Sequence, residues 1–453
     1  MAGIFKAYDI RGVYGEDLDE STAEQIGLAF QHLLDDDDRA ASNAVVVGRD
    51  MRSHSAGLVA ALVDGLTAGG LDVVDVGLAT TPMNYFAVGH LGTAGGIQVT
   101  ASHNPAKYNG FKLSRHGARP VSGDHGIALV EEKIAAGDLP RADRRGEVTG
   151  ADVGDAYQSH VLGHLRSSNG GARLRVVADA ANGMGTLYRP LLEAMGIDLV
   201  PLFFELDGRF PNHEANPLKQ ENLEDLQEAV ERHSADFGVA FDGDADRSAF
   251  VDETGRAIGS DLTTALIAGE LLERHPGSAI VYDLRSSRAL AEYVREKGGE
   301  PIRERVGHSF MKATLREHDG VFGGELAGHY YFRDNYFADS SILAVVEILN
   351  LLRKTHRPLS ALVEPLRRYA KSPEINFEVE DKQGKMDELA RRHEGADVDW
   401  MDGISVRYPT WWCNVRPSNT EPYLRLVVEA RSDEELERRL GELIEVLGKP
   451  AED

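Results

Sequence analysis

Cysteine and long apolar runs are scarce in this chain, and each scarcity excludes a class of protein. The single cysteine, Cys413, cannot form an intramolecular disulfide, which is what a reducing compartment permits. No apolar run approaches the roughly 20 residues that a membrane-spanning helix needs. Lys6, Asp9 and Arg11 bring charge too early for a secretion signal. We therefore expect a cytoplasmic protein that does not act at membranes.

Positive charge is also scarce. The 49 basic residues face 74 acidic ones, and the formal net charge is -25. A field of this sign repels phosphate backbones, so we expect no binding to nucleic acid. Only 12 of the basic residues are lysine, and acidic runs such as Asp35 to Asp38 occur. Two hypotheses for this surface stay open, adaptation to high salt and an ordinary acidic protein from a GC-rich genome.

One structural plan recurs three times along the chain. A strand is followed by a polar loop, a helix that ends at glycine, and a second strand, which predicts a parallel, right-handed crossover. The first strands of these units span residues 44–47, 175–179 and 279–283. The plan predicts three related α/β domains. The alternative is that this order of strand, loop, helix and strand is simply the commonest one in α/β proteins.

Each crossover leads to a strand that ends in an unusually polar loop containing glycine. These loops span residues 100–112, 241–248 and 323–329. Because ligands of open α/β sheets bind beyond the carboxyl ends of strands, we expect the three loops to meet at one cleft.

After residue 367 the pattern changes to short strands and two helices, which predicts a small α+β domain. Ser432 with Glu435, and Ser21 with Glu24, have the spacing of helix caps. A chain of 453 residues is long enough for three or four domains. The predicted domains are residues 1–150, 151–255, 256–367 and 368–453, and the first three contain the polar loops at 100–112, 241–248 and 323–329.

Ser102 stands at the mouth of the strand that leads into the first loop. The Asn109–Gly110 pair makes a turn that carries Lys112 back towards Ser102. The sequence therefore indicates an exposed nucleophile, with His103 as the nearest candidate base. An ordinary polar loop is the simpler explanation of this stretch taken alone.

Asp242, Asp244 and Asp246 form the most specific metal-binding pattern of the chain. Carboxylates at alternate positions of an extended turn project to one side, and three oxygen ligands leave room for water and a phosphate, which suits Mg²⁺. An EF-hand is excluded because Arg247 occupies its sixth position, where the sharp turn of that loop requires glycine. A solvated acidic turn is the alternative.

Two further loops carry groups that suit a phosphorylated sugar. Glu325 can accept hydrogen bonds from two adjacent hydroxyls, and His329 titrates near neutrality. The planar fork of Arg416 matches phosphate. The remaining donors of that loop are Ser418, Asn419 and Thr420. A well-capped turn explains the last loop equally well.

Taken together, these motifs resemble those of the α-D-phosphohexomutase superfamily, and within it the phosphomannomutase/phosphoglucomutase branch. Each motif alone is weak, but all of them occur in the order of the family and extend over the whole chain. The motifs span residues 8–12, 100–105, 109–112, 242–247, 307–309, 324–329 and 416–422.

The resemblance implies four domains around a central cleft, the first three of one α/β fold and the last smaller. It implies that Ser102 is a phosphoserine and that its phosphate, with Asp242, Asp244 and Asp246, holds Mg²⁺. The other implied catalytic residues are Arg11, Lys112, Arg247 and His329. The implied substrate-binding residues are His308, Glu325, Arg416, Ser418, Asn419 and Thr420.

The implied reaction interconverts hexose 6-phosphate and hexose 1-phosphate, of mannose and/or glucose. Because only one phosphate site is reactive, the sugar must become a hexose 1,6-bisphosphate and turn around, so this compound is both intermediate and activator. A phosphoglucosamine mutase is one alternative, which Asn419 disfavours. A catalytically silent sugar-phosphate-binding protein is another. The sequence predicts neither the preferred sugar nor the oligomeric state.

Overall fold

The computed structural model describes residues 3–123, 126–166, 173–418 and 423–451, and contains four sheets that follow one another along the chain. The strands of the first sheet are β1 (Ile10–Val13), β2 (Ala44–Arg49), β3 (Asp72–Leu78), β4 (Gly95–Val99), β5 (Tyr108–Arg115), β6 (Arg119–Pro120) and β7 (Val148–Gly150). Its helices are α1 (Glu20–Phe30), α2 (Asp36–Ala41), α3 (Ser55–Ala68), α4 (Thr81–Leu91) and α5 (Ile127–Ala136).

The second and third sheets each have five strands. Those of the second are β8 (Arg175–Asp179), β9 (Asp198–Leu202), β10 (Phe237–Phe241), β11 (Ser248–Asp252) and β12 (Ala257–Ile258), with helices α6 (Gly154–Gly163), α7 (Arg189–Ala194) and α8 (Glu224–His233). Those of the third are β13 (Ala279–Asp283), β14 (Glu300–Glu304), β15 (Phe322–Gly324), β16 (Tyr330–Phe332) and β17 (Ala338–Asp339). Its helices are α9 (Ser260–Arg274), α10 (Arg288–Glu296), α11 (His308–Glu317), α12 (Ser341–Thr355) and α13 (Leu359–Val363).

The fourth sheet is antiparallel. Its strands are β18 (Ala370–Lys371), β19 (Ile375–Glu378), β20 (Asp397–Asp399), β21 (Ile404–Arg407), β22 (Trp411–Pro417) and β23 (Tyr423–Ala430), accompanied by α14 (Lys382–Arg392) and α15 (Asp433–Leu447). The predicted fold class, three α/β domains with mixed sheets followed by a smaller α+β domain, is confirmed.

The first three sheets share one four-stranded unit. Its strand orders are β3-β2-β4-β5, β9-β8-β10-β11 and β14-β13-β15-β16. In each unit the first three strands are parallel and the last is antiparallel to its neighbour. The predicted repeat is therefore confirmed, and each of the three polar loops is the bend between a parallel strand and its antiparallel return.

The cores are apolar side chains that pack beneath these sheets. The first and fourth domains each have a separate core, whereas one continuous core joins the second and third domains. Valine and phenylalanine dominate the buried strands β2 and β10, as expected for strands covered on both faces. No helix among the described residues is long and apolar enough to cross a bilayer.

The two helix caps that the sequence predicts differ in outcome. Ser432 caps α15 and accepts a hydrogen bond from the backbone N–H of Glu435, as predicted. The prediction for α1 is wrong, because the helix begins earlier: Asp19 is the N-cap and accepts the N–H of Thr22 at 2.8 Å. Aspartate and serine cap equally well, so the first suitable side chain at the helix start takes the role.

The acidic run from Asp35 to Asp38 forms the first turn of α2. Asp35 accepts the backbone N–H of Asp38, and Asp38 accepts that of Asp35, which is a capping box. Asp38 is fully buried and also accepts from Arg115 at 2.6 Å and from Arg119 at 2.5 Å. This part of the acidic surface therefore supports the fold.

Candidate active site

Ser102 lies just beyond β4, in a loop held in an uncommon conformation. Its φ is 50°, in the left-handed region that a non-glycine residue adopts only when its surroundings impose it. The side chain is 1% exposed, and its Oγ donates to Asp242 Oδ2 at 2.7 Å. Nδ1 of His103 lies 3.2 Å from the same Oγ. Burial, followed by Arg247 and Arg11, lowers the pKa of His103 well below its usual value, so this imidazole is neutral.

Arg52 imposes the shape of the Ser102 loop. Its guanidinium donates to four backbone carbonyls of that loop, and its Nε donates to Asp50 at 3.1 Å. The four acceptors are the carbonyl oxygens of Ser102 at 2.9 Å, Asn104 at 2.6 Å, Pro105 at 2.8 Å and Tyr108 at 3.2 Å. The ring of Phe210, from the second domain, covers this guanidinium at 5.0 Å. Sequence reasoning missed Arg52, although it follows the end of β2 at the edge of the sheet where the other loops gather.

The loop of residues 241–248, called the metal loop, follows β10 and is hydrogen-bonded to the first domain. Asp242 Oδ1 accepts the backbone N–H groups of Asp246 and Arg247 at 3.1 Å, which wraps the loop around this carboxylate. Thr81 donates its hydroxyl to Asp244 at 2.5 Å. At Gly243 a Cβ would lie 2.3 Å from the carbonyl oxygen of Ser102, so only glycine allows the two loops to approach so closely.

The three aspartates present a carboxylate cluster that fits a cation. Their ligand oxygens lie within 4.8 Å of one another, and all three residues are buried. Oδ1 of Asp244 and Oδ1 of Asp246 accept no hydrogen bond, which is rare for buried carboxylates. Burial, then Asp244 and Asp246, raise the pKa of Asp242 well above its usual value. A cluster of hard oxygens with two free acceptors fits a divalent ion such as Mg²⁺.

Lys112 is the cation that lies within this cluster. Its Nζ donates to Asp244 at 2.6 Å and also to Asp246. Although burial opposes the charged form, Asp244 and Asp246 raise the pKa of Lys112 well above its usual value. The sequence predicts Lys112 as the charge partner of Ser102, whereas these contacts join it to the aspartates beside Ser102.

The loop of residues 323–329, called the sugar loop, contacts the aspartate cluster through His329. Nδ1 of His329 lies 3.1 Å from Glu325 Oε2, and its Nε2 accepts from Arg247 Nε at 3.1 Å and lies 3.4 Å from Asp246 Oδ1. Burial would lower the pKa of His329, but Asp246 raises it to about 9. This imidazole accepts from Arg247 when it is neutral and donates to Asp246 when it is protonated.

Glu325 is fixed by three donors. It accepts the backbone N–H of Gly307 at 2.9 Å, the hydroxyl of Tyr331 and the imidazole of His329. Despite burial, His329 and Tyr331 lower the pKa of Glu325 strongly, so its carboxylate is charged. His308, beside Gly307, has its ring 6.2 Å from that of His329.

The remaining predicted residues lie on β1 and at the end of β22. Arg11 is in β1, which pairs with β5, and it donates to Asn104 Oδ1 of the Ser102 loop at 2.5 Å. Arg416, at the end of β22, donates to Glu374 Oε2 at 3.0 Å, and the N–H of Ser418 donates to the carbonyl of Tyr423 at 2.9 Å. The predicted residues Asn419 and Thr420 lie outside the described residues.

A cavity of about 410 Å³ opens where three domains face one another. Tyr8 of the first domain, Arg305 and Phe310 of the third, and Met401 and Pro417 of the fourth line it. The ring of Tyr8 lies 5.7 Å from that of His308. Because Pro417 directly follows Arg416, this space adjoins the loop of Arg416, and its size suits a small polar ligand.

Known proteins match this chain along nearly all of its length. Sequence models of the phosphoglucomutase/phosphomannomutase α/β/α domains I, II and III match residues 2–141, 155–255 and 259–369, and that of the C-terminal domain matches residues 374–446. A protein of Xanthomonas campestris pv. campestris described as phosphohexose mutases is 40% identical, over 98% of both chains.

Two further matches extend this likeness. The phosphomannomutase of Escherichia coli K12 is 38% identical, over 98% of this chain and 99% of its own. The crystal structure of a phosphoglucomutase/phosphomannomutase family protein from Burkholderia thailandensis superposes with a TM-score of 0.89 at 39% identity, covering 98% of this chain and 96% of its own.

Proposed function

The chain belongs to the phosphoglucomutase/phosphomannomutase family, and from this premise we propose that it interconverts hexose 6-phosphate and hexose 1-phosphate through a phosphoserine at Ser102. The substrates are phosphates of mannose and/or glucose, and hexose 1,6-bisphosphate is the intermediate and activator. The protein acts in the cytoplasm on these small molecules.

One contact carries the proposal. Ser102 Oγ lies 2.7 Å from Asp242, within a cluster whose Asp244 and Asp246 each keep an oxygen without a hydrogen-bond partner. Three carboxylates disfavour the alkoxide that a bare serine nucleophile must form. A phosphorylated Ser102 needs no such activation, and its phosphate is a suitable further ligand for a cation held by the aspartates.

The residues divide the work of phosphoryl transfer. Asp242, Asp244 and Asp246 would hold Mg²⁺, which when bound neutralises charge on the phosphoryl oxygens. Arg247 and Lys112 add fixed positive charge to the same place. The hydroxyl oxygen of the sugar forms the new O–P bond, the bond from phosphorus to Ser102 Oγ breaks, and the hydroxyl proton finally resides on Oγ.

His329 is our candidate to hold that proton during the transfer, because it accepts or donates according to its protonation state. Lys112 stays charged, since its contacts with two of the aspartates raise its pKa. Glu325 is charged and fixed, so it can accept hydrogen bonds from sugar hydroxyls in both orientations of the bisphosphate. Arg416 and its loop would hold the phosphate that is not reacting.

Intact-mass measurement tests the phosphoserine directly. After incubation with glucose 1,6-bisphosphate and Mg²⁺ we expect one increment of about 80 Da on the wild-type chain. Ser102→Ala must abolish the increment, and Ser53→Ala, at an exposed serine outside the site, must retain it. A wild-type preparation that never gains this mass would exclude the phosphoenzyme. Comparison of kcat/KM for mannose 1-phosphate and glucose 1-phosphate then assigns the sugar.

A further inference from the structure

A cluster of three arginines joins the third domain to the fourth around one carboxylate. Glu374 Oε2 accepts from Arg416 at 3.0 Å and from Arg285 at 3.4 Å, and Glu374 Oε1 accepts from Arg425 at 3.2 Å. Arg285 is also paired with Asp283 at 2.8 Å. Glu374 therefore accepts from three guanidinium groups, and Asp283 pairs with one of them.

Glu374 covers a group that the proposed function assigns to the substrate. The side chain of Arg416 is only 3% exposed, whereas that of Glu374 is 23% exposed. Burial would raise the pKa of Glu374, but Arg285, Arg416 and Arg425 lower it, so the carboxylate is charged. In this state the arginines are already neutralised in part by an anion of the chain itself.

A phosphate group suits this place better than a carboxylate does. A phosphate monoester carries between one and two negative charges near neutral pH and has three terminal oxygens. It can therefore receive hydrogen bonds from several guanidiniums at once, whereas a carboxylate offers two oxygens and one charge. A guanidinium as buried as that of Arg416 would be costly without an anion, so we expect Glu374 or phosphate to contact it.

The geometry points to Glu374 as an internal competitor of the substrate phosphate: it occupies the arginine cluster when the cleft is empty and leaves when phosphate binds. This rests on the proposed function in one respect, the assignment of Arg416 to the non-reacting phosphate. Phosphate binds only to the fraction of molecules in which Glu374 has left the arginines. The apparent affinity for phosphate is therefore reduced in proportion to that fraction.

The competition between Glu374 and phosphate would assist a reaction in which the bisphosphate intermediate must reverse its orientation in the cleft. The bisphosphate must withdraw one phosphate from the arginines and present the other, and in the interval the buried Arg416 would lose its anion. Return of Glu374 to Arg416 and Arg425 neutralises it during that interval. Glu374 thus makes binding weaker and reorientation faster, because the bisphosphate does not leave behind bare buried charge.

The cluster also reaches the sugar loop. Asp283 Oδ2, which pairs with Arg285, accepts the backbone N–H of Leu326 at 2.7 Å, and Leu326 follows Glu325 in the chain. A single ion pair, Arg285–Asp283, therefore lies between the site where Glu374 would exchange with phosphate and the backbone next to Glu325, the residue assigned to the sugar hydroxyls. Asp283 therefore connects the arginine cluster to the backbone of the loop that carries Glu325.

Calorimetric titration of the full-length, dephosphorylated enzyme with inorganic phosphate tests this inference. Glu374→Gln keeps the shape but removes the charge, and we expect phosphate to bind on the order of tenfold more tightly than to wild type. Glu296→Gln removes a carboxylate that pairs with Arg368 elsewhere in the third domain, and should leave the affinity unchanged. Unchanged or weaker binding by Glu374→Gln would overturn the proposal, because Glu374 would then only position the arginines.

Two further experiments locate the effect. The gain in affinity must disappear in the double variant Glu374→Gln/Arg416→Ala; if it persists, phosphate binds elsewhere and the proposal fails. In crystals of the wild-type enzyme soaked with phosphate, we expect the anion on Arg416 and Arg425 with Glu374 turned away. Phosphate bound while Glu374 keeps its contacts would contradict the competition, whether or not the variant folds.

Steady-state kinetics then connect the competition to turnover. We expect Glu374→Gln to lower KM for hexose 1-phosphate and to lower kcat several-fold, since the intermediate leaves the cluster more slowly. A lower kcat with a raised KM would contradict this. The phosphate titration requires no turnover. An enzyme inactive on every hexose phosphate would therefore refute the proposed function, whereas the titration would still decide whether Glu374 competes with phosphate.

Discussion

Two acidic clusters of this chain look alike in the sequence and differ in the structure. The run from Asp35 to Asp38 and the alternating Asp242, Asp244 and Asp246 both concentrate carboxylates within five residues. In the first cluster, Asp38 has backbone and guanidinium donors on both of its oxygens. In the second, Oδ1 of Asp244 has no donor, and Oδ1 of Asp246 has only the imidazole of His329 nearby, at 3.4 Å. We therefore expect unmet acceptors, rather than acidity, to distinguish a cluster that binds a cation from one that supports the fold.

The largest expected effect concerns the second cluster. Asp244→Asn removes one charged ligand and should lower kcat/KM for hexose 1-phosphate on the order of 10³-fold, because charge stabilisation at the reacting phosphoryl group is lost. The free energy of unfolding should change by no more than about 1 kcal/mol, since Lys112 keeps Asp246 as a partner. A coupled assay and a urea titration measure the two quantities.

Magnesium supplies the control for this variant. Mg²⁺ at about 100 times its Kd should stabilise the wild-type fold by about 2.7 kcal/mol, and the melting temperature should rise accordingly. Asp244→Asn should lose this rise, and Asp38→Asn should keep it. Equal stabilisation of wild type and Asp244→Asn by Mg²⁺ would show that the ion binds elsewhere. The two acidic clusters would then not differ in metal binding.

The second effect concerns the first cluster. Asp38→Asn leaves the guanidiniums of Arg115 and Arg119 without their buried anion, and should lower the free energy of unfolding by about 2 kcal/mol. Urea denaturation measures this change, and kcat should stay that of wild type. Asp36→Asn, at an exposed position of the same helical turn, is the matched control and should cost no more than about 0.5 kcal/mol. A drop in kcat for Asp38→Asn would give this cluster a role beyond the fold.

The smallest effect concerns the acidic surface as a whole. If the net charge of -25 reflects adaptation to high salt, the melting temperature should rise by a few degrees between low salt and molar KCl, because salt screens repulsion between exposed carboxylates. Asp38→Asn should show the same rise as wild type, since buried pairs are screened little. An unchanged melting temperature at molar KCl would remove the salt-adaptation hypothesis.

The sequence predicts what depends on local pattern. The three crossovers, the polar loops after β4, β10 and β15, and the cap at Ser432 follow from strand periodicity and turn residues, and the structure contains them. The cap of α1 is the exception, because Asp19 and Ser21 have equal chemistry and only the packing of the helix selects between them.

The sequence does not predict what depends on contacts between distant segments. Arg52 acts through backbone carbonyls some fifty residues away, and a carbonyl acceptor leaves no trace in residue types. Glu374 meets three arginines from two domains for the same reason. The sequence identifies the partners of Lys112 only in part, because spacing brings it towards Ser102 while charge draws it to Asp244 and Asp246. The roles of these residues in the reaction stay predictions.

The close approach of Gly243 to Ser102 has a mechanical consequence. A side chain at residue 243 would clash with the carbonyl oxygen of Ser102, so there is room for only a hydrogen atom. The first and second domains are therefore in close contact at this point. A methyl group introduced by Gly243→Ala would act as a wedge between two domains that share no sheet. We therefore expect the first and second domains to move together as one rigid unit.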